Sequence, residues 1–385
     1  MKRVLWVNPS FLDYRIPLYD ELNKILSGNF YFCYNAADVP ERCKHKLHNA
    51  LHNNAQPLNL KKLHLKKNSD FANSGLVIGI PKHFFRTIRK IHPDIIITEG
   101  YGKYTPFAIL YSIFNRIPIY LTYERTAHTE RNCPKWRILY RKFINLFISG
   151  FLVNGSLTKE YLISQHVRPD KIFCGSMCAD SKELSIKTQS TTAAEKTLLY
   201  GKLNIPVPKN GLIYIYVGQM IDRKGVDLLI SSWKHHHDTY PDDFLLLVGD
   251  GNRMESLKKL GGNDSNIIFT GAIDYDNIHR YYAIADAFVI PTLEDNWSLV
   301  VPEAMACRLP VACSIFNGCH PDLIHIGKNG ITFDPTDNNS TIKALEYFHS
   351  IDLHQHGINS QIIESRYSPS EVAKNISQAI MSQHS

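Results

Sequence analysis

The chain has 385 residues, of which 44% are hydrophobic and 21% charged. Those values suit a folded protein of about two domains and exclude intrinsic disorder. No uncharged apolar run approaches the roughly 18 residues of a membrane span. The eight cysteines are scattered without a CxxC pair, as in a cytosolic chain with reduced thiols.

Strand-like and helix-like runs alternate from the start. Val4–Val7 reads as a first strand, too short before Asn8-Pro9 to be a signal-peptide core. A helical stretch follows from Pro17 to Leu26. Asp94–Thr98 is a strand, Pro106–Phe114 a helix, Ile117–Tyr123 a strand, Lys135–Phe147 a helix and Gly150–Asn154 a strand. Such alternation predicts βαβ units and a parallel sheet. Residues 180–210 turn polar and strand-poor, and read as an interdomain region. The pattern then restarts. Leu212–Val217, Phe244–Val248, Ile267–Phe269, Ala287–Ile290 and Pro310–Ala312 are strands. Val226–Trp233, Arg253–Leu260, Ile278–Ala285 and Leu299–Ala306 are helices. Two successive doubly wound sheets are expected, with ligands at the carboxyl ends of the strands.

The net charge of +7 is unevenly placed. Residues 1–175 hold 26 Lys and Arg against 12 Asp and Glu, a balance of +14, and the remainder stands at −7. A basic first half meets anions: phosphorylated substrates, a membrane surface or nucleic acid. A solvated basic surface is the plain alternative. The acidic second half, and the lack of an RRM or KH signature, argue against nucleic acid.

Four segments of the second half sit where strands end. Gly218 closes a strand, and Arg223 and Lys224 precede Gly225 at a helix start. Two cations beside helix amides suit a diphosphate; a charged turn would look the same. Gly249-Asp250-Gly251 lets backbone approach a ligand, or makes a tight turn. It is not a dinucleotide fingerprint, since Met254 occupies the third glycine position. Gly271-Ala272-Ile273 follows a strand and either offers backbone groups to a base or is simply the loop after a strand. The fourth segment runs from Pro291 through Glu294, Asp295, Trp297, Ser298, Leu299 and Val300 to Glu303-Ala-Met-Ala-Cys307. Carboxylates accept paired hydrogen bonds from vicinal hydroxyls, and first-turn amides hold phosphate; acids that merely complement the helix dipole, with an exposed Glu303, would give the same pattern.

In this order the segments resemble the retaining glycosyltransferases of family 4, of GT-B fold, over roughly residues 205–345. The resemblance implies an α/β chain of two Rossmann-like domains facing a cleft. It implies that Arg223 and Lys224 neutralise a nucleoside-diphosphate leaving group. Glu303 would hold ribose hydroxyls, and Asp295 or Glu294 a donor-sugar hydroxyl. Amides near Ser298, Leu299 and Val300 would meet phosphate, with Gly218 and Gly249 lining the site and the base near Gly271 and Ile273. Three positions depart from the family pattern. Asp295 stands where the family has Glu, Gln219 where it often has Arg, and Arg308 where Gly is common. No cofactor and no metal are expected, because side-chain cations can stabilise the departing diphosphate and no DxD occurs. The triplet His235-His236-His237 reads as a solvated helix face.

The first half resembles the family less closely. Arg15, after the Asn8–Asp13 loop, suits an acidic acceptor; a plain surface arginine would look the same. Glu99-Gly-Tyr-Gly-Lys103 follows another strand. Glu124 and Arg125 follow a third on the acceptor side, and His128 is the candidate for the donor sugar, the alternative being a loop histidine with no role. The Lys135–Phe147 helix is basic and aromatic, and suits either an anionic membrane surface or packing on the sheet.

The expected organisation is an acceptor-side domain over 1–178, an interdomain region over 179–210, and a nucleotide-sugar domain over 211–360. A final helix over 361–385 would pack back on the first domain. The expected activity is transfer of a hexose-type sugar from a nucleotide sugar to a saccharide or lipid-linked acceptor, in polysaccharide or glycolipid assembly. The protein would be cytoplasmic or peripheral on the inner membrane face. A sugar-nucleotide epimerase and a non-catalytic partner subunit of the same fold are the alternatives.

Overall fold

The computed structural model describes residues 2–8, 13–65, 71–73, 76–207 and 210–382. The chain divides into two compact units: Met1–Asp180 with Tyr367–Ser385, and Ser181–Arg366.

The strands of the first unit are β1 (Val4–Asn8), β2 (Phe30–Asn35), β3 (Ala55–Leu65), β4 (Leu76–Lys82), β5 (Ile95–Glu99), β6 (Ile119–Tyr123), β7 (Gly150–Val153) and β8 (Ile172–Cys174). Among the described residues they form one sheet in the order β4-β3-β2-β1-β5-β6-β7-β8, parallel except where β3 meets β4. All of β1 and β6 is buried. Helices cover both faces, so these strands read as continuous apolar runs. Val4 and Trp6 pack on one face with Leu18, Tyr19 and Leu22, while Leu5 and Val7 pack on the other with Tyr104 and Ala108. The Pro369–Ser382 helix lies against the Ile16–Ile25 helix and adds Val372, Ile376 and Ile380 to the first of these cores.

The second unit holds β9 (Ile213–Val217), β10 (Phe244–Val248), β11 (Ile267–Gly271), β12 (Ala287–Ile290), β13 (Val311–Ser314) and β14 (Gly330–Phe333). They form a parallel sheet in the order β11-β10-β9-β12-β13-β14. The strand order reverses between β9 and β12 here, and between β1 and β5 in the first unit. Ligand crevices of doubly wound sheets open at such points, beyond the carboxyl ends.

Residues 181–207 differ from the interdomain stretch expected of them. They form the Lys182–Ser190 and Ala193–Leu203 helices, which belong to the second unit and pack on its Tyr275–Ile284 helix. Thr192 starts the latter with a capping box, its backbone N–H donating to Glu195 Oε2 at 2.8 Å. The stretch reads as polar because few of its residues, chiefly Leu184, Ser185, Thr188 and Leu199, turn inward.

Candidate functional site

Backbone stitching at three strand ends builds the floor of the second unit's site. The Gly218 N–H donates to the Val248 carbonyl at 3.0 Å, that of Gly249 to Gly271 at 3.0 Å, and that of Met220 to Asp250 at 2.9 Å. Gly249 has φ +137°, and a Cβ there would lie 1.8 Å from the Gly218 carbonyl oxygen. At Gly251 a Cβ would lie 2.4 Å from the Met220 oxygen. The Gly-Asp-Gly signature is therefore first a packing requirement between neighbouring strand-end loops.

Across the switch point, Arg223 and Lys224 meet the loop after β12. The Arg223 carbonyl accepts from the Leu293 amide at 2.8 Å and the Thr292 hydroxyl at 3.0 Å. Gly225 follows with φ +62°, where a Cβ would come within 2.3 Å of the Pro291 oxygen. This pairing carries the cations to the acids. Lys224 Nζ is 2.5 Å from Asp295 Oδ2, and Arg223 Nη1 is 3.4 Å from the same oxygen. The Ser298 hydroxyl donates to it at 2.7 Å, and the Trp297 amide donates to Oδ1 at 3.2 Å. Burial opposes ionisation of Asp295, but Lys224, Ser298 and Arg223 outweigh it and hold the carboxyl below its usual range. Glu294 is also buried, and it is its backbone carbonyl that meets Arg223, at 3.2 Å. Of the two candidate acids, Asp295 is thus the one seated against the cations. The cluster of two cations and one carboxylate keeps a net positive charge.

Ser298 serves this loop rather than a phosphate: its amide donates to Asn317 Oδ1 at 3.3 Å. Leu299 and Val300 lie at the first turn of the Val300–Ala306 helix. Glu303 is half-buried on that helix; burial, and then the Glu303 charge, raise the pKa of the Tyr282 hydroxyl. Gly271, at φ +73°, ends β11, and Ile273 follows it half-buried. Gln219 is exposed, and its carbonyl accepts from the Tyr216 hydroxyl at 2.9 Å. Asn317 escaped the sequence reading. It is fully buried beside Asp295, and the Asn317-Gly318 turn signature after β13 was its only signal.

At the switch point of the first unit, Arg15 departs from its expected acceptor role. Its side chain is only 2% exposed, ion-paired to Glu99 and 2.9 Å from Glu124 Oε1. The guanidinium carbon stands 5.7 Å from the Trp6 ring centroid, and Trp6 Nε1 donates to Glu99 Oε1 at 3.1 Å. Burial pushes the Glu99 carboxyl up to about 7 although Arg15 lowers it. Of the Asn8–Asp13 loop, Pro9–Leu12 lie outside the described residues.

Arg125 is likewise engaged. Its Nη1 is 2.8 Å from Asn73 Oδ1 and 2.9 Å from Glu130 Oε1. Arg141 Nη1 holds the other Glu130 oxygen at 2.5 Å. Burial raises the Glu130 pKa, yet the two arginines outweigh it and hold the carboxyl low. His128 is half-buried on a turn closed by Thr126 and Thr129, whose amides donate to each other's hydroxyls at 2.9 and 3.3 Å.

The histidine triplet is not uniformly solvated. His236 is fully buried, with Nε2 2.8 Å from Asp243 Oδ2, and His349 Nε2 lies 2.7 Å from the same oxygen. Those three side chains converge as metal ligands do. The Nδ1 of His236, however, has no partner to orient the ring as a ligand. Asp243 precedes β10, at the strands' amino end, away from the cluster around Asp295.

Residues 203–364 match the family described as glycosyl transferases group 1. The chain is 26% identical over 284 residues to the sulfoquinovosyl transferase SQD2 of Arabidopsis thaliana, covering 70% of this chain and 52% of that one. It is also 26% identical to the alpha-monoglucosyldiacylglycerol synthase of Acholeplasma laidlawii, covering 69% and 68% of the two chains. It spans about half the length, or less, of the first curated relatives matched, 52% of SQD2 and 37% of a GDP-mannose-dependent mannosyltransferase of Mycolicibacterium smegmatis. Among solved structures, Anabaena Alr3699/HepE in complex with UDP superimposes with a TM-score of 0.75 at 15% identity, covering 99% of this chain and all of that one. Sucrose-phosphate synthase of Thermosynechococcus elongatus follows at 0.65 and 16%, covering 98% of each chain. Residues 203–364 thus form a group 1 glycosyl transferase domain, and the chain that carries it has the GT-B fold.

Proposed function

We propose that the protein is a retaining, metal-independent hexosyltransferase. It moves a sugar from a nucleoside-diphosphate sugar to a saccharide or lipid-linked saccharide, in polysaccharide or glycolipid assembly at the cytoplasmic face of a membrane. The observation that carries this reading is the cluster of Arg223, Lys224 and Asp295 at the switch point of the group 1 domain. Negative charge develops on the diphosphate as the glycosidic bond breaks, and pre-positioned cations stabilise it without rearrangement. Asp295 would accept from a donor-sugar hydroxyl and Glu303 from the ribose. Leu299 and Val300 would face phosphate, Gly271 and Ile273 the base, and His128 the donor sugar. The names of two relatives, a monoglucosyldiacylglycerol synthase and a phosphatidylinositol monomannoside mannosyltransferase, support a lipid acceptor. The Anabaena structures with UDP and UDP-glucose support a uridine donor.

A thermal-shift panel of nucleoside diphosphates and their hexose conjugates tests the reading. A cognate ligand at 100 times its dissociation constant adds about 2.7 kcal/mol of stability. The expected result is a shift with one base, followed by slow hydrolysis of the matching sugar nucleotide. A shift without hydrolysis or transfer would favour a non-catalytic subunit, and conversion of the free sugar nucleotide an epimerase. No shift with any nucleotide would overturn the proposal.

A further inference from the structure

The Lys135–Asn145 helix is turned the opposite way from a soluble surface helix. Two of its cations point inward: Arg141 pairs with Glu130 and stands 5.4 Å from the Tyr101 ring centroid, and Arg137 Nη1 is 3.3 Å from Asn73 Oδ1. Its hydrocarbon points outward. Trp136, Leu139 and Phe143, with Leu146 just beyond, lie along one face at helical spacing, each more than half exposed and Leu146 76% exposed. On the Thr105–Asn115 helix, Ile113 is half exposed and Phe114 79% exposed. Both helices pack on the same face of the first sheet, since Ala108, Ile109 and Ile144 share one core. Large apolar side chains gathered in water mark an interaction surface.

We infer that these two helices dock on an anionic lipid bilayer, with the apolar side chains entering the headgroup–acyl boundary. Charge selects this occupant. Between Gly100 and Lys159 the sequence holds nine Lys and Arg and only two acids, Glu124 and Glu130. Both acids are held by arginines: Glu124 by Arg15, and Glu130 by Arg125 and Arg141. The surface around the apolar face therefore shows cations, among them exposed Lys135 and Arg116, with no acid of this stretch left to balance them. A second copy would bring like charge against like. Exposed Leu139, Leu146 and Phe114 suit hydrocarbon better than the base stacking of a nucleic acid. The inference deepens the proposed use of a lipid-linked acceptor, and rests on that reading only for its purpose. It also changes what holds the protein to the membrane: apolar insertion sustains attachment and the basic rim adds to it.

The test is sedimentation of the full chain with phosphatidylcholine vesicles, with and without phosphatidylglycerol, at low salt and at about 0.5 M, where screening is nearly complete. Wild type binds the anionic vesicles most strongly at low salt and keeps measurable binding to them at high salt. Leu139→Ser combined with Phe143→Ser and Leu146→Ser lowers partition at both salts by at least roughly tenfold, as expected when several buried apolar side chains are lost. Lys135→Gln with Lys142→Gln removes only the low-salt increment. Nucleoside-diphosphate thermal shifts of both variants match wild type, which separates this surface from the donor site. The inference fails if wild type binds neither vesicle, if high salt abolishes all binding, or if the triple variant binds like wild type. It also fails if wild type is a dimer in solution that the triple variant dissolves.

Discussion

Lys224 Nζ and Asp295 Oδ2 are 2.5 Å apart, so the resting site spends half of its cationic charge on its own carboxylate. On the proposed function, a diphosphate reaching Lys224 would compete with Asp295, and the carboxylate would be released towards the sugar as the phosphate took its place. Asp295→Asn removes both the competition and the repulsion. It should bind the free nucleoside diphosphate at least as tightly as wild type while losing transfer. Calorimetric titration beside a turnover assay checks this, and weaker nucleotide binding would contradict it.

Arg223→Ala and Lys224→Ala should each cost on the order of 2–4 kcal/mol of transition-state stabilisation, read from kcat/KM. They should differ in stability. Lys224 is the less exposed partner, and its loss leaves Asp295 buried without its main counter-charge. Breaking such a pair from one side typically costs about 3–5 kcal/mol. Chemical denaturation should find Lys224→Ala clearly destabilised and Arg223→Ala nearer to wild type.

Gly249→Ala should destabilise the second unit by more than the roughly 1–3 kcal/mol of ordinary positive-φ strain, because its Cβ would overlap the Gly218 carbonyl. Gly262→Ala is the matched comparison, with φ +67° and open space around it. Comparable melting temperatures for the two variants would show that the close approach is dispensable.

The Glu99 carboxyl titrates near 7 in the folded chain, against about 4.3 when unfolded. Between those values the folded state holds a proton that the unfolded state has released. The resulting stability is full below about pH 4.3 and is lost as pH rises through 7, at no more than about 1.4 kcal/mol per pH unit. Glu99→Gln keeps a neutral hydrogen-bonding partner at every pH. It should flatten this part of the profile and be the more stable protein at pH 8, as denaturation across pH 5–8 will show.

Most strands of the second unit were legible because a chain-breaking residue closes the apolar run, glycine after Val217 and Val248 and proline after Ile290. Arg15 was not, because its partners lie 84 and 109 residues away and only the fold brings β5 and β6 beside it. The Lys135–Asn145 helix was located, but which of its faces is buried depends on Glu130 and Tyr101, outside the helix. Periodicity alone assigns cations to water, and a buried carboxylate with a buried aromatic ring reverses that choice. Strand β14 escaped because Gly and Thr leave it only two apolar residues, although its two ends are buried.

The Pro369–Ser382 helix completes the core of a unit whose other residues end at Asp180. On a ribosome, the second unit has all of its sequence as soon as Arg366 emerges, whereas the first must wait for Ile376 and Ile380 to seal Leu18 and Leu22. The unit begun first is therefore completed last, and until then it offers an apolar groove to chaperones. A cut between Arg366 and Tyr367 would spare the group 1 domain and leave the basic unit open.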